Sequence, residues 1–208
     1  MLTTRAWSWI TSAESGSKVT VTNPTDAELV DSCLAGRRES FDLLVERHQR
    51  HVYLLCYRFV GNHEDASDLA QDVFIRAYRG LKNFRGQASL GTWLYRIGVN
   101  VCLNKVGAKT PRPDALDPLL AASDERIASQ AESATDAMLR GERAGQVRAA
   151  IARLPRKQRA TLILRVYHEL PHEQIAGILG SSVGAVKANF FHALNNLKKL
   201  MGEADPKP

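Results

Sequence analysis

Leu170-Pro-His-Glu-Gln-Ile-Ala-Gly-Ile-Leu-Gly-Ser-Ser-Val-Gly-Ala-Val-Lys187 is the stretch on which the fold turns. With His172 as the first helical position, Ile175, Ala176 and Leu179 share one face at helical spacing. Gly180 follows, a residue type that tolerates the left-handed backbone ending a helix. Ser181 or Ser182 then stands where a serine caps the next helix. Val183, Val186, Phe190, Leu194 and Leu197 repeat at three and four residues, so a second helix begins there. The result is a helix-turn-helix, with small Ala176 where the helices cross and Val186 filling the space between them. In such a unit the second helix enters the major groove and presents its first residues to base edges. Those residues are Ser182, Gly184, Ala185, Lys187, Ala188, Phe191 and His192.

Helix pairs with a glycine turn also serve as plain packing units, and charge separates the two readings. The chain has 208 residues, 28 Lys and Arg against 22 Asp and Glu, and a formal charge of +6. From Arg148 to Leu200 nine basic residues face two acidic ones; from Asp26 to Lys105 the numbers are eleven and ten; from Val106 to Val147 they are five and seven. The basic excess is thus confined to the helix-turn-helix segment, as phosphate contact requires.

The same segment spells His168-Glu-Leu-Pro-His172, the H-E-x-x-H pattern of zinc hydrolases. That chemistry needs both histidines on one face of an unbroken helix. Pro171 removes a backbone donor and clashes one turn back, so it marks a helix start rather than a helix interior. The sequence therefore predicts no metal here, no cofactor, and two surface histidines flanking a helix boundary.

Elsewhere the pattern is helical throughout, with aromatic content of 7% and no alternating runs of Val, Ile and Thr. Residues 1–24 show no sustained period despite Trp7 and Trp9, and are expected to be a disordered extension. Thr25 and Glu28 have capping-box spacing, with Leu29, Val30 and Cys33 as a short stripe behind them. A long helix is predicted over about Arg38 to Val60, stopped by Gly61. Asn62 caps a third, whose stripe is Ala66, Leu69, Ala70, Val73, Phe74 and Ala77. Glu64, Asp68 and Asp72 lie four apart on another face of this helix, with Asp65 and Gln71 beside them. Acids so grouped repel one another; they form either a solvated face or a docking surface for a basic partner. His63, Glu64, Asp65 and Asp68 also have metal-ligand chemistry, which acids in a first helical turn explain more simply.

Ser89 opens a fourth helix, to about Lys105, with Leu90, Trp93, Leu94, Ile97, Val101 and Cys102 inward. Aromatics beside Arg85 and Arg96 suit stacked single-stranded bases, although the spacing of Trp93 with Leu94 and Ile97 assigns it to the core. Residues 107–141 read as a linker, with Pro111, Pro113 and Pro118 and some helix returning near Asp124 to Leu139, followed by helices over about Glu142 to Arg153 and Arg156 to His168. Cys56 and Cys102 fall within apolar patterns, and three cysteines without framework spacing fit a reducing, cytoplasmic setting. No apolar run reaches the ~20 residues of a membrane span.

Asp65-Ala-Ser-Asp-Leu-Ala-Gln-Asp-Val-Phe-Ile-Arg-Ala-Tyr78, Asn83-Phe-Arg-Gly86, Thr92-Trp-Leu-Tyr-Arg-Ile-Gly-Val-Asn100 and Leu154-Pro-Arg-Lys-Gln-Arg159 together resemble the extracytoplasmic-function class of bacterial RNA polymerase sigma factors. The resemblance covers about Asp26 to Lys105 and Arg148 to Leu200. It implies an all-α fold of two helical modules: region 2 over 25–106, and region 4, the helix-turn-helix module, over 142–202, ahead of a short tail. It implies core-polymerase contacts by Asp65, Asp68, Gln71 and Asp72. It implies −10 promoter contacts by the loop Asn83 to Ala88 (Asn83, Phe84 and Arg85 foremost), with Arg96, Asn100 and Lys105. It assigns the −35 duplex to the helix-turn-helix residues named above. Expected partners are the clamp and flap of core RNA polymerase, promoter DNA and an anti-sigma factor, with no membrane insertion, no bond chemistry and a monomeric free chain. After Asn100 the family often carries an Asp and paired arginines; this chain has Leu103, Asn104 and Lys105. Asn189, His192 and Leu194 also stand where arginines are common.

A stand-alone regulator whose first module senses or dimerises shares the second half of this pattern. It differs in binding its site without polymerase. The Pro- and Ala-rich linker predicts two modules with separate cores; packing between them would instead indicate a closed free form.

Overall fold

Thr25 and Glu28 form the expected reciprocal cap: the Glu28 N–H donates to Thr25 Oγ1 at 3.3 Å, and the Thr25 N–H donates to Glu28 Oε2 at 2.7 Å. This opens α1 (Asp26–Leu34) in the computed structural model, which describes residues 23–108 and 134–202. The chain continues through α2 (Glu39–Val60), α3 (His63–Gly80), a single 3-10 turn (Leu81–Asn83) and α4 (Leu90–Ala108). The second half contains α5 (Ala134–Arg153), α6 (Arg156–Val166), α7 (His172–Leu179) and α8 (Val183–Gly202). There is no strand among the described residues, and the fold is all-α in two helical modules. The N-terminal extension and most of the expected linker lie outside the described residues.

The first module packs α2, α3 and α4 around Leu44, Val52, Leu55, Phe59, Val73 and Val99, all buried. Gly61 ends α2 in left-handed backbone (φ 76°), and the Asn62 side chain caps α3 through the Asp65 N–H at 2.8 Å. Gly98 allows α4 its close approach: a Cβ there would stand 2.8 Å from Leu55 Cδ2. α1 is tied to α2 by Asp26, which accepts from Arg47 at 2.5 Å and pairs with His48 at 2.8 Å. Cys56 and Cys102 are buried, as their apolar context predicts.

In the second module Gly180 adopts the left-handed turn (φ 58°, ψ 43°), and Ser182 Oγ caps α8 by accepting the Ala185 N–H at 3.2 Å. Val186 is fully buried between the helices and Ala176 nearly so. Leu194, by contrast, is 45% exposed; Ala193 takes the inward position beside it. α5 begins at Ala134, so the helix expected to return before Leu139 and the one expected from Glu142 are a single element. The composition that reads as linker there is also rich in Ala, a strong helix former.

The expectation of separate cores is not met. One continuous apolar cluster runs from Leu29 in α1 to Ala193 in α8. Polar contacts sew the two halves together. Arg159 of α6 donates to the Phe59 carbonyl at the end of α2, and Arg156 donates to the Leu103 carbonyl in α4. The Arg58 guanidinium lies 4.0 Å from the centroid of the Tyr167 ring. The Tyr95 hydroxyl and His168 Nδ1 are hydrogen-bonded at 3.0 Å. His168 is therefore not the surface residue its sequence context suggested. It is folded into the seam between modules, while His172 sits edge-on to Phe190 at 6.0 Å between ring centroids. Residues 167–171 break the helix between the two histidines, with Glu169 itself left-handed (φ 53°), which removes the helical face a zinc hydrolase needs.

Candidate nucleic-acid interface

Three surfaces carry the residues singled out in the sequence. The first is the outer face of α3. Asp68 and Gln71 are exposed, and Asp72 is half-exposed in a surface ion pair with Arg76 at 3.0 Å. Neither carboxylate is locked inside the module. Asp65 lies at the edge of this face and accepts from Asn62 and from Lys105 Nζ, the latter at 2.7 Å. That hydrogen bond raises the Lys105 pKa, with Asp68 and Glu64 adding in the same direction. Lys105 is thus turned toward α3 and its acids.

The second surface is a cavity of about 330 Å³ beside the loop after the 3-10 turn, lined by Asn83, Phe84, Arg85, Trp93 and Arg96, with Gln87, Ala88 and Thr92 at its margin. Gly86 makes the loop's sharp bend with φ 68°, and Ser89 Oγ accepts the Thr92 N–H to start α4. The Phe84 and Trp93 rings meet at 5.2 Å with a 49° tilt. Trp93 also covers Gly80, whose Cβ would lie 3.5 Å from the indole. Sequence spacing assigned Trp93 to the core; it is only half-buried, and its ring both packs and lines the cavity. Two aromatic rings and two guanidinium groups around one opening supply stacking surface and cations together, the combination that holds a single nucleic-acid strand. Of the predicted set, Asn83, Phe84, Arg85 and Arg96 converge here. Asn100 is exposed one turn beyond Arg96, and Lys105 is not part of the lining.

The third surface is the N-terminal half of α8. Ser182, Gly184, Ala185, Lys187, Ala188, Phe191 and His192 are all exposed, while Val186 and Ala193 anchor the opposite side. Phe191 is 62% exposed, and its ring meets that of His192 at 5.7 Å. An exposed apolar ring on a recognition helix suits a thymine methyl group.

The far wall of the cavity was not foreseen. It consists of Gly177 and Ile178 from α7, in the other module. The available signal was Ile178 itself, a large apolar residue left out of the stripe formed by Ile175, Ala176 and Leu179.

A helix-turn-helix and a cavity lined by two aromatic rings and two guanidinium groups lie on one all-helical chain, the architecture of a DNA-binding factor. Residues 44–111 match the model of sigma-70 region 2, and residues 144–197 match that of sigma-70 region 4. The chain is 36% identical to the RNA polymerase sigma-H factor of Pseudomonas aeruginosa over 185 residues, covering 87% of this chain and 96% of the relative. It is likewise 36% identical to the ECF RNA polymerase sigma-E factor of Escherichia coli, covering 81% and 90%. Among solved structures, CnrH in complex with the cytosolic domain of CnrY shares the fold with a TM-score of 0.60 at 24% identity, over 86% of this chain and 97% of that one. RpoE of Bartonella quintana, in complex with the anti-sigma factor NepR, does so with a TM-score of 0.57 at 19% identity, over 79% and 98%. The chain belongs to the sigma-70 family, in its extracytoplasmic-function class.

Proposed function

We propose that this sigma factor docks on core RNA polymerase through the outer face of α3, led by Asp68, Gln71 and Asp72, with Asp65 at its edge. In the holoenzyme the Phe84–Trp93 cavity holds bases of the melted −10 strand, flanked by Arg85 and Arg96, with Asn83 and Asn100 along the strand's path. α8 grips the −35 duplex through Lys187 and reads it partly through Phe191 and His192. Flipping a base out of its stack costs a few kcal/mol, which aromatic contact of about 1–3 kcal/mol per base offsets. The chain itself makes and breaks no bond; it positions polymerase and stabilises open DNA. An anti-sigma factor restrains it, as the family resemblance implies, and its place of action is the cytoplasm, where polymerase and chromosome meet. Among the described residues, no helix is long and apolar enough to cross a membrane.

One observation supports this reading: the exposed face of a helix-turn-helix and a cavity lined by Phe84, Trp93, Arg85 and Arg96 sit on the same chain. A stand-alone regulator has use for the first and none for the second. The test is transcription by purified core polymerase on fragmented genomic DNA of the source bacterium, with and without the chain, followed by sequencing of transcript 5′ ends. Chain-dependent starts preceded by a shared pair of motifs are expected. Binding to duplex DNA with no new start would make the protein a stand-alone regulator.

A further inference from the structure

Lys105 stands apart from the basic residues around the cavity. It follows Arg96 by nine residues on α4. At 3.6 residues per turn that offset carries it to about the opposite side of the helix, and about 14 Å farther along the axis. Arg96 and Asn100, one turn apart, share an exposed side. Lys105 leaves that side and reaches α3, where its Nζ lies 2.7 Å from Asp65 Oδ1. The other oxygen of that carboxylate accepts from Asn62 Nδ2 at 3.0 Å, so Asp65 is held whether or not Lys105 is there. This pair differs in kind from Arg76–Asp72 at 3.0 Å, which spans one turn of α3 and needs no other helix. Lys105 comes from α4, so only the packing of two helices brings it to Asp65. Nor does α3 need it: Glu64 and Asp65 sit in the first turn, where the helix dipole already favours negative charge. Asp68 and Glu64 act on the same ammonium, so one cation serves three acids of α3.

We propose that Lys105 belongs to the polymerase-docking face: it is a positioning residue that acts through Asp65, occupying the carboxylate that polymerase takes, and it makes no contact with the −10 strand. The proposal rests on the reading of the outer face of α3 as the docking surface. With Lys105 and Arg76 in place, the acids Glu64, Asp65, Asp68 and Asp72 already hold two of the chain's own cations. A basic group of polymerase that reaches Asp65 must displace the Lys105 ammonium or bind beside it against repulsion. Lys105 therefore lowers the affinity of the face for polymerase, and it does so through charge, so salt governs the effect.

The test is competition for purified core polymerase over a series of salt concentrations, with fluorescein-labelled wild-type chain as tracer. Lys105→Met should bind about two- to fivefold more tightly than wild type at low salt, and the gain should fade as salt rises. Lys105→Arg keeps the cation and should bind as wild type does. Holoenzymes built on wild type and on Lys105→Met should bind a labelled oligothymidylate with the same salt slope. A pair that only braces α4 against α3 would move the melting temperature and leave core affinity alone. Should Lys105→Met lose helicity by circular dichroism, Lys105→Gln takes its place. Unchanged core affinity overturns the proposal, and so does a strand salt slope lowered by about 0.7, the mark of one lost phosphate contact. Asp68→Asn, measured alongside, separates the proposal from the reading beneath it. If Asp68→Asn weakens core binding while Lys105→Met changes nothing, the proposal alone fails; if neither changes it, the docking reading of α3 fails with it.

Discussion

His168 shows how far position governs a side chain's chemistry. Burial in the seam, with His51 and Arg58 adding repulsion, lowers its pKa to about 4 from an ordinary 6.5. The neutral form is therefore the one the fold selects. Because the folded pKa lies below the unfolded one, its stabilising contribution is fully present above about pH 6.5 and is lost as pH falls through the interval down to about 4. The loss amounts to at most about 3 kcal/mol. Urea unfolding measured across that interval should show stability declining with acidification, and His168→Gln should flatten the slope; an unchanged slope would place His168 in water. Lys187 poses a different question on the same scale. It is a flexible point charge without the planar fork of arginine, and it stands exposed one turn into α8. Lys187→Ala should weaken binding to all −35 duplexes nearly alike and reduce the salt slope by about one. A loss confined to one base position in a duplex panel would make it a base reader instead.

At the scale of elements, the crossing of α4 over α2 depends on Gly98. Gly98→Ala would place a methyl group 2.8 Å from Leu55 Cδ2, inside any normal contact, so Leu55 must shift within a close-packed core. Overpacking of this kind costs about 1–3 kcal/mol, which thermal melting would report as a lowered midpoint. A neutral outcome would mean that Leu55 has a second rotamer open to it. α4 also carries Trp93 and Arg96 of the cavity lining. α7 is short, with eight residues, and below the length at which a helix holds by itself in water. Its formation rests on packing against α8 inside its own module and against α4 outside it.

At the scale of the whole molecule, Arg159 joins the halves. It is 3% exposed, and burial lowers its pKa to about 10, so it remains charged at neutral pH. Its donors go to the carbonyls of Phe59 and Ala152, where the C-terminal ends of α2 and α5 concentrate negative potential. Removing a charged donor from a buried carbonyl costs about 1–3 kcal/mol. Arg159→Ala should therefore uncouple the modules, splitting one calorimetric transition into two; a single transition at a lower temperature would mean that the apolar seam suffices to hold them together.

Local signals were enough for most of the helices, their caps and the exposed face of α8. The Gly180 turn, the Thr25–Glu28 box and the stop at Gly61 each depend on a few neighbouring residues whose backbone preferences act within one turn. The exposed set on α8 followed from period alone, and so did the acidic face of α3. Sequence could not place Ile178, Tyr95, His168 or Arg159, because each is satisfied by a residue at least 50 positions away or by a different module. Trp93 shows the limit in one residue: its spacing is that of a core position, and whether its second face meets core or cavity depends on where the loop 83–88 and α7 lie. Helical period records which residues must leave water; it does not record which surface covers them, since apolar burial has no direction of its own. The helices and the faces they present were thus local properties of this chain, and the closing of one module upon the other was decided only by tertiary packing.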